Sequence, residues 1–102
     1  MAKAKYTIGV DFGTESARAV LVRVADGKEL AIKAWNYSNG VITEKLPGTS
    51  VRLEHDWALQ DPDDYIRALE RTIPPVLRAG KVKADDVIGI GIDFTACTMM
   101  PT

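Results

Sequence analysis

Ile8-Gly9-Val10-Asp11-Phe12-Gly13-Thr14-Glu15-Ser16-Ala17-Arg18 is the stretch on which the reading of this chain turns. In Tyr6-Thr7-Ile8-Gly9-Val10-Asp11-Phe12 the set Tyr6, Ile8, Val10 and Phe12 falls on one side, the period-two pattern of a half-buried strand. Asp11 then presents a carboxylate at the strand's carboxyl end, where a magnesium-bound water could reach it. Gly13 lacks the Cβ that would hold a phosphate away from the backbone. Successive N–H groups in such a turn form an anion-binding concavity, and the hydroxyls of Thr14 and Ser16 add donors to it. Arg18 supplies a fixed positive charge nearby. The outline is that of a phosphate-and-metal site. The same residues also fit an ordinary hairpin turn whose acid ends a strand, with Arg18 as a solvated strand residue. The Walker pattern, Gly-Lys-Ser/Thr opening a helix, is absent.

Outward from this stretch, Ala17 to Val24 is rich in Val and Leu and predicts a second strand, and Ala25-Asp26-Gly27-Lys28 carries the Asp-Gly signal of a two-residue hairpin. Glu29 to Tyr37 returns as a third strand, so the opening is an antiparallel three-strand meander. Ser38 to Leu59, with Gly40, Pro47 and Gly48, is a long irregular stretch of the kind that is functional or covers a core. Asp61-Pro62-Asp63-Asp64 predicts a helix start: Asp61 as N-cap, Pro62 in the first helical position, and acids favoured by the helix dipole. Ile66, Leu69, Ile73, Val76 and Leu77 then form one apolar stripe facing a sheet. Pro74-Pro75 predicts a kink or a break, and Gly80 a terminus. Val87-Ile88-Gly89-Ile90-Gly91-Ile92-Asp93-Phe94 reads as a central strand, buried on both faces and parallel to an earlier one. No internal repeat or low-complexity tract is evident.

The chain has 102 residues, 46% hydrophobic and 26% charged with net charge −1, the composition of one small soluble globular domain. The absence of a basic surplus argues against nucleic acid. No stretch approaches the ~20 apolar residues of a membrane span. The lysines of the first residues resemble the start of a signal peptide, but Asp11 interrupts the apolar run and a small-residue cleavage site is missing. Cys97, the single cysteine, cannot form an internal disulfide and suits a reducing compartment, so the cytoplasm is the expected location. His55 is the only histidine, which leaves no Cys/His cluster for zinc, and its polar surroundings predict a surface position.

Meander, helix and central strand, with Asp-x-Gly-Thr closing the first strand, resemble the opening of the RNase H-like α/β domain shared by sugar kinases, chaperones and actin. Within that superfamily the chain is most similar to the FGGY family of carbohydrate kinases. Three segments carry the resemblance: Asp11 to Arg18, Trp57-Ala58-Leu59-Gln60-Asp61-Pro62-Asp63-Asp64-Tyr65, and Ile90-Gly91-Ile92-Asp93-Phe94-Thr95-Ala96-Cys97-Thr98. The aromatic followed by Gln-Asp-Pro is not expected of chaperone or actin ATPases.

The resemblance implies transfer of the γ-phosphoryl group of ATP, with Mg2+, to a primary hydroxyl of a sugar, a reaction that demands positioning and charge neutralisation. It assigns Asp11 to the metal or its water and lines the phosphate loop with Gly13, Thr14, Glu15 and Ser16, the Glu15 side chain turned away. Arg18 neutralises charge as it transfers. Where glycerol kinases carry Gln-Arg-Glu beside the polyol, this chain has Thr95, Ala96 and Cys97, a small loop similar to that of L-ribulokinases. The implied substrate is a ketopentose, L-ribulose first, with xylulose or another sugar of the family as the alternative. The family's catalytic base and adenosine pocket belong to sequence not among these residues. Residues 1–102 are therefore expected to be the N-terminal part of the first kinase domain, inactive and self-associating alone, from a homo-oligomeric parent. Two rivals stand beside this reading. One is a chaperone- or actin-type ATPase sharing the phosphate loop, and the other a non-enzymatic interaction module in which Asp11 and Gly13 only make a turn.

Overall fold

Alternation puts Ile8, Val10 and Phe12 on one face of β1 (Tyr6–Phe12), and the computed structural model, which describes residues 3–54 and 59–94, buries all three. Strand β2 (Ser16–Arg23) pairs antiparallel with β1 and adds Ala17, Ala19 and Leu21 to the same core, and β3 (Glu29–Asn36) pairs antiparallel with β2. The predicted meander is therefore present. Its second turn is wider than the two-residue hairpin expected: Arg23 N–H donates to the Lys28 carbonyl at 2.9 Å, and only Gly27, at φ 72°, takes the left-handed conformation. Asp26 draws the loop together by accepting from the Arg23 guanidinium at 2.6 Å and from Lys28 N–H at 3.2 Å. Those bonds, the Arg23 pair foremost, hold its carboxyl down to about 2.

The excursion that follows β3 is paired in part. Strands β4 (Val41–Ile42) and β5 (Leu59–Gln60) form a small antiparallel sheet, and Lys45 makes an isolated antiparallel bridge to Arg52 between them in sequence. His55, Trp57 and Ala58 lie outside the described residues.

Helix α1 (Pro62–Gly80) begins as predicted, with the Asp61 side chain accepting from Asp63 N–H at 3.0 Å and Pro62 in the first turn. Its buried face keeps the expected stripe apart from Ile66 and adds a row of mostly small residues. Asp64, Ala68, Thr72 and Val76 are the buried residues, with Leu69, Ile73 and Leu77 partly so, while Ile66 is 59% exposed. Small side chains on this i, i+4 row let the helix lie close on β2 and β3. Thr72 satisfies its buried hydroxyl by donating to the Ala68 carbonyl at 2.7 Å.

Pro74-Pro75 does not break α1. The carbonyls that lose their donors belong to Glu70 and Arg71, both exposed, so water can satisfy them. The terminus also differs in detail. Lys81, not Gly80, adopts the left-handed conformation at φ 56°, and N–H groups of Lys81 and Val82 return to the carbonyls of Arg78 and Leu77 in a Schellman motif. Gly80 serves another purpose, since a Cβ there would sit 2.5 Å from Cδ2 of fully buried Leu21, which would have to shift.

After a short 3-10 turn, β6 (Val87–Phe94) pairs parallel with β1, giving the sheet order β3-β2-β1-β6. Its expected burial on both faces is not found among the described residues: it is an edge strand, with Ile88, Ile90, Ile92 and Phe94 all more than half exposed. The cause is the position of α1, which covers β2 and β3 rather than β6. The pairing also corrects the reading that no repeat exists. Ile8-Gly9-Val10-Asp11-Phe12 and Ile90-Gly91-Ile92-Asp93-Phe94 lie side by side in register, residue for residue.

Candidate active site

The loop Gly13-Thr14-Glu15 joins β1 to β2 at the carboxyl end of β1. Gly13 N–H donates to the Ser16 carbonyl at 2.8 Å, and a Cβ on Gly13 would approach that oxygen to 2.9 Å. The glycine is thus demanded by closure of the hairpin itself, whatever the loop binds. The loop's carbonyls face the protein. That of Gly13 accepts from the Tyr37 hydroxyl at 2.8 Å, that of Glu15 from Tyr37 N–H at 3.0 Å, and that of Thr14 from Gln60 Nε2 at 3.4 Å. Among the described residues nothing accepts from the N–H of Thr14 or Glu15, and both residues are exposed. Donors facing solvent beside an acid are what an anion-and-metal site needs. The Glu15 carboxylate lies against buried Gly40, which has φ 58° and where a Cβ would overlap it.

Asp11 and Arg18 are direct cross-strand partners, and on the other side of β1 Asp11 is in register with Asp93. These side chains, with Gly9, Gly91 and Val20, line an open groove of about 540 Å³ on the sheet face turned away from α1. Sequence reasoning brought Asp11 and Arg18 together correctly but passed over Asp93. The signal that could have found it is the repeat, in which each apolar run ends in Asp-Phe. Among the described residues no group of three or more His, Cys, Asp or Glu could hold a metal. Asp11 with Asp93 nearby fits magnesium, which keeps several waters and takes one or two carboxylates together with substrate phosphates. Thr95, Ala96 and Cys97, the expected sugar loop, lie outside the described residues.

Tyr37 was read as a strand end, and Gln60 and Tyr65 as part of a segment that carries the resemblance, but none of them as a site residue, because nothing in local spacing relates them to Gly13. Tyr65 sits edge-on to Phe12 and Tyr37, with ring centroids 5.4 and 5.5 Å away, and donates its hydroxyl to Gln60 Oε1 at 2.7 Å. Burial, then the proximity of Tyr65, Asp11 and Asp64, pushes the Tyr37 phenol up to about 12. It therefore stays a donor to Gly13 across the working pH range. Because the folded value is raised above the ordinary 10.0, the stability associated with the neutral phenol is complete below pH 10 and is lost as pH rises from there toward 12. Ultraviolet titration of tyrosinate should show a late step near that value that disappears in Tyr37→Phe. A Tyr37 that ionises with exposed tyrosines would contradict the burial argument.

Relatives in sequence share most of this chain. The chain is 57% identical to the ribulokinase of Halalkalibacterium halodurans over 97 residues, 95% of its own length, and equally so to that of Geobacillus thermodenitrificans. The chain is homologous to the ribulokinases. The three quoted segments, read as resembling the FGGY carbohydrate kinases, lie within the matched stretch. The ribulokinase of Mycolicibacterium smegmatis is 54% identical over 94% of the chain. The ribulokinase-like chain spans 17% of the length of these relatives. No family model matches it. Among solved structures, a xyloylose kinase from Brucella ovis superposes with TM-score 0.68 over 88% of this chain and 16% of its own, at 22% identity. A gluconate kinase from Lactobacillus acidophilus gives 0.66 over 91% of the chain and 16% of its own, also at 22% identity. At that identity the likeness concerns the fold alone.

Proposed function

We propose that this chain is the N-terminal part, residues 1–102, of the first domain of a kinase that phosphorylates L-ribulose to L-ribulose 5-phosphate with MgATP. The observation that carries the reading is 57% identity to ribulokinases over 95% of the chain. A loop whose N–H groups face solvent beside Asp11 supports it. In the reaction a primary hydroxyl oxygen of the sugar bonds to the γ-phosphorus, the bridging bond to the β-phosphate breaks, and the hydroxyl proton passes to a base outside these residues. Thr14, Glu15 and Ser16 hold phosphate oxygens through backbone and hydroxyl donors, Gly13 lines the loop by closing the turn that presents them, and Arg18 offsets the charge on the moving phosphoryl group. Asp11 would hold magnesium through a water, and the metal when bound would neutralise charge on the phosphate oxygens. Thr95, Ala96 and Cys97 border the ketopentose. The enzyme works in the cytoplasm as a homo-oligomer; among the described residues no helix is long and apolar enough to cross a membrane. The uncovered apolar row on β6 supports self-association of 1–102 when it is made alone.

The test is sugar-dependent ADP release by the longest chain that the native reading frame encodes, with L-ribulose, D-xylulose and glycerol offered in turn. L-Ribulose is expected to give the highest kcat/KM, and 1–102 alone no turnover. Steady ATP hydrolysis indifferent to every sugar would move the protein to the ATPase branch, and turnover by purified 1–102 would overturn its reading as a part. A protein with neither nucleotide nor sugar response would be the interaction module.

A further inference from the structure

The loop's donors point outward because groups outside the loop hold its carbonyls inward. Within a trans peptide unit the C=O of one residue and the N–H of the next are rigidly opposed, and no cis peptide is present among the described residues. Holding the carbonyls of Gly13, Thr14 and Glu15 on the inner side therefore directs the N–H groups of Thr14, Glu15 and Ser16 away from those partners. The holding groups come from two distant elements. Tyr37, just past β3, grips both ends of the loop: its hydroxyl takes the Gly13 carbonyl at 2.8 Å and its N–H takes that of Glu15 at 3.0 Å. Gln60, in β5, faces the middle carbonyl, that of Thr14, at 3.4 Å.

The Gln60 amide has only one productive orientation. A carbonyl can only accept, so Nε2 must face Thr14, which leaves Oε1 for the Tyr65 hydroxyl at 2.7 Å. Tyr65 in turn is set edge-on between Phe12 and Tyr37. Resting on the kinase reading above, we propose that Tyr37, Gln60 and Tyr65 are positioning residues for phosphoryl transfer: they aim the loop's N–H groups at the phosphates without touching the nucleotide. A packing role alone leaves Gln60 unexplained, since a half-buried amide between a hydroxyl and a carbonyl contributes bonds rather than apolar contact.

The experiment uses isosteric variants of the full-length kinase, Tyr37→Phe and Gln60→Glu, which each delete one donor and keep the shape. Loop misplacement of this kind costs ~10- to 10²-fold in rate. Both variants should lower kcat on that scale and raise the KM for MgATP, while the KM for the sugar stays within about twofold. Tyr65→Phe should move the same parameters in the same direction, and Gln60→Glu combined with Tyr65→Phe should be no worse than Gln60→Glu alone, because both act through one chain of bonds. Thermal melts of each variant set an assay temperature well below unfolding. Unchanged kcat and MgATP KM in Tyr37→Phe and Gln60→Glu, with only the melting temperature lowered, would reduce these residues to packing. A wild-type enzyme without sugar-dependent ADP release would instead overturn the kinase reading, and the positioning role with it.

Discussion

On the kinase reading proposed above, Asp11→Ala is expected to lower kcat of the full-length protein by at least ~10²-fold, the scale on which removal of one preorganised electrostatic partner acts. Phosphoryl transfer moves charge onto oxygens that the protein must neutralise without covalent help, so a missing metal anchor is felt in the transition state more than in ground-state binding. Asp11 is suited to the task by its place. It is exposed at the end of β1, directly across from Arg18 and in register with Asp93, on the groove face of the sheet. It takes no part in the core, which Val10 and Phe12 enter from the other side of the strand. Loss of activity would therefore not be a folding effect, and an unchanged melting temperature would establish that. Steady-state rates measured over a magnesium titration would check the metal assignment. Asp11→Ala should raise the magnesium concentration needed for half-maximal rate, and full activity with an unaltered magnesium requirement would remove Asp11 from the mechanism.

The second large effect is on stability. Asp64 is 2% exposed, yet its carboxylate is fully used: Oδ1 accepts from Ser38 N–H at 3.1 Å, Oδ2 from Asn39 N–H at 3.1 Å, and the Arg67 guanidinium lies 3.6 Å away. Asn39 Nδ2 also donates to Asp61 Oδ2 at 2.7 Å, so the start of α1 clamps the turn that follows β3. Hydrogen bonds to charged groups contribute ~1.5–3 kcal/mol each, and orphaned buried donors cost a similar amount. Asp64→Ala is therefore expected to destabilise the protein by about 3 kcal/mol. Amide exchange offers a local check, since the N–H groups of Ser38 and Asn39 should lose protection in Asp64→Ala while that of Leu21, deep in β2, changes far less. Equal protection of Ser38 and Asn39 in the variant and the parent would show that the clamp is not holding the turn. Because Gly40 and the Glu15 carboxylate meet next to this turn, a loosened clamp reaches the loop as well.

Local chemistry is the part of this molecule that could be read from residue order. Period-two alternation located β1 and the core residues Ile8, Val10 and Phe12, and the Asp61-Pro62 pair located the start of α1. Each of those signals is a relation between near neighbours in sequence, acting through backbone geometry or a cap. Even where the elements were right, their faces were not always. Ile66 was expected inside and lies outside, because the row Ala68, Thr72 and Gly80 meets the sheet with Leu69, Ile73 and Leu77 beside it, and Ile66 falls outside that face. The two prolines were expected to interrupt the helix and do not, because the residues whose carbonyls they free, Glu70 and Arg71, are exposed and open to water.

The site divides in the same way. Asp11, Gly13, Thr14, Glu15, Ser16 and Arg18 are close in sequence and were legible as a strand end and a turn. By itself, then, the sequence determined that a carboxylate would follow a buried strand and a glycine would close the turn after it, because period and steric allowance are properties of a few adjacent residues. Only the tertiary structure decided which way that turn faces. Its carbonyls are held by Tyr37 and Gln60, 24 and 46 residues away along the chain, and Asp93 joins Asp11 through parallel pairing of β1 with β6. Such contacts arise when a helix and a sheet exclude water from a shared interior. No short window of sequence carries the distance over which they act.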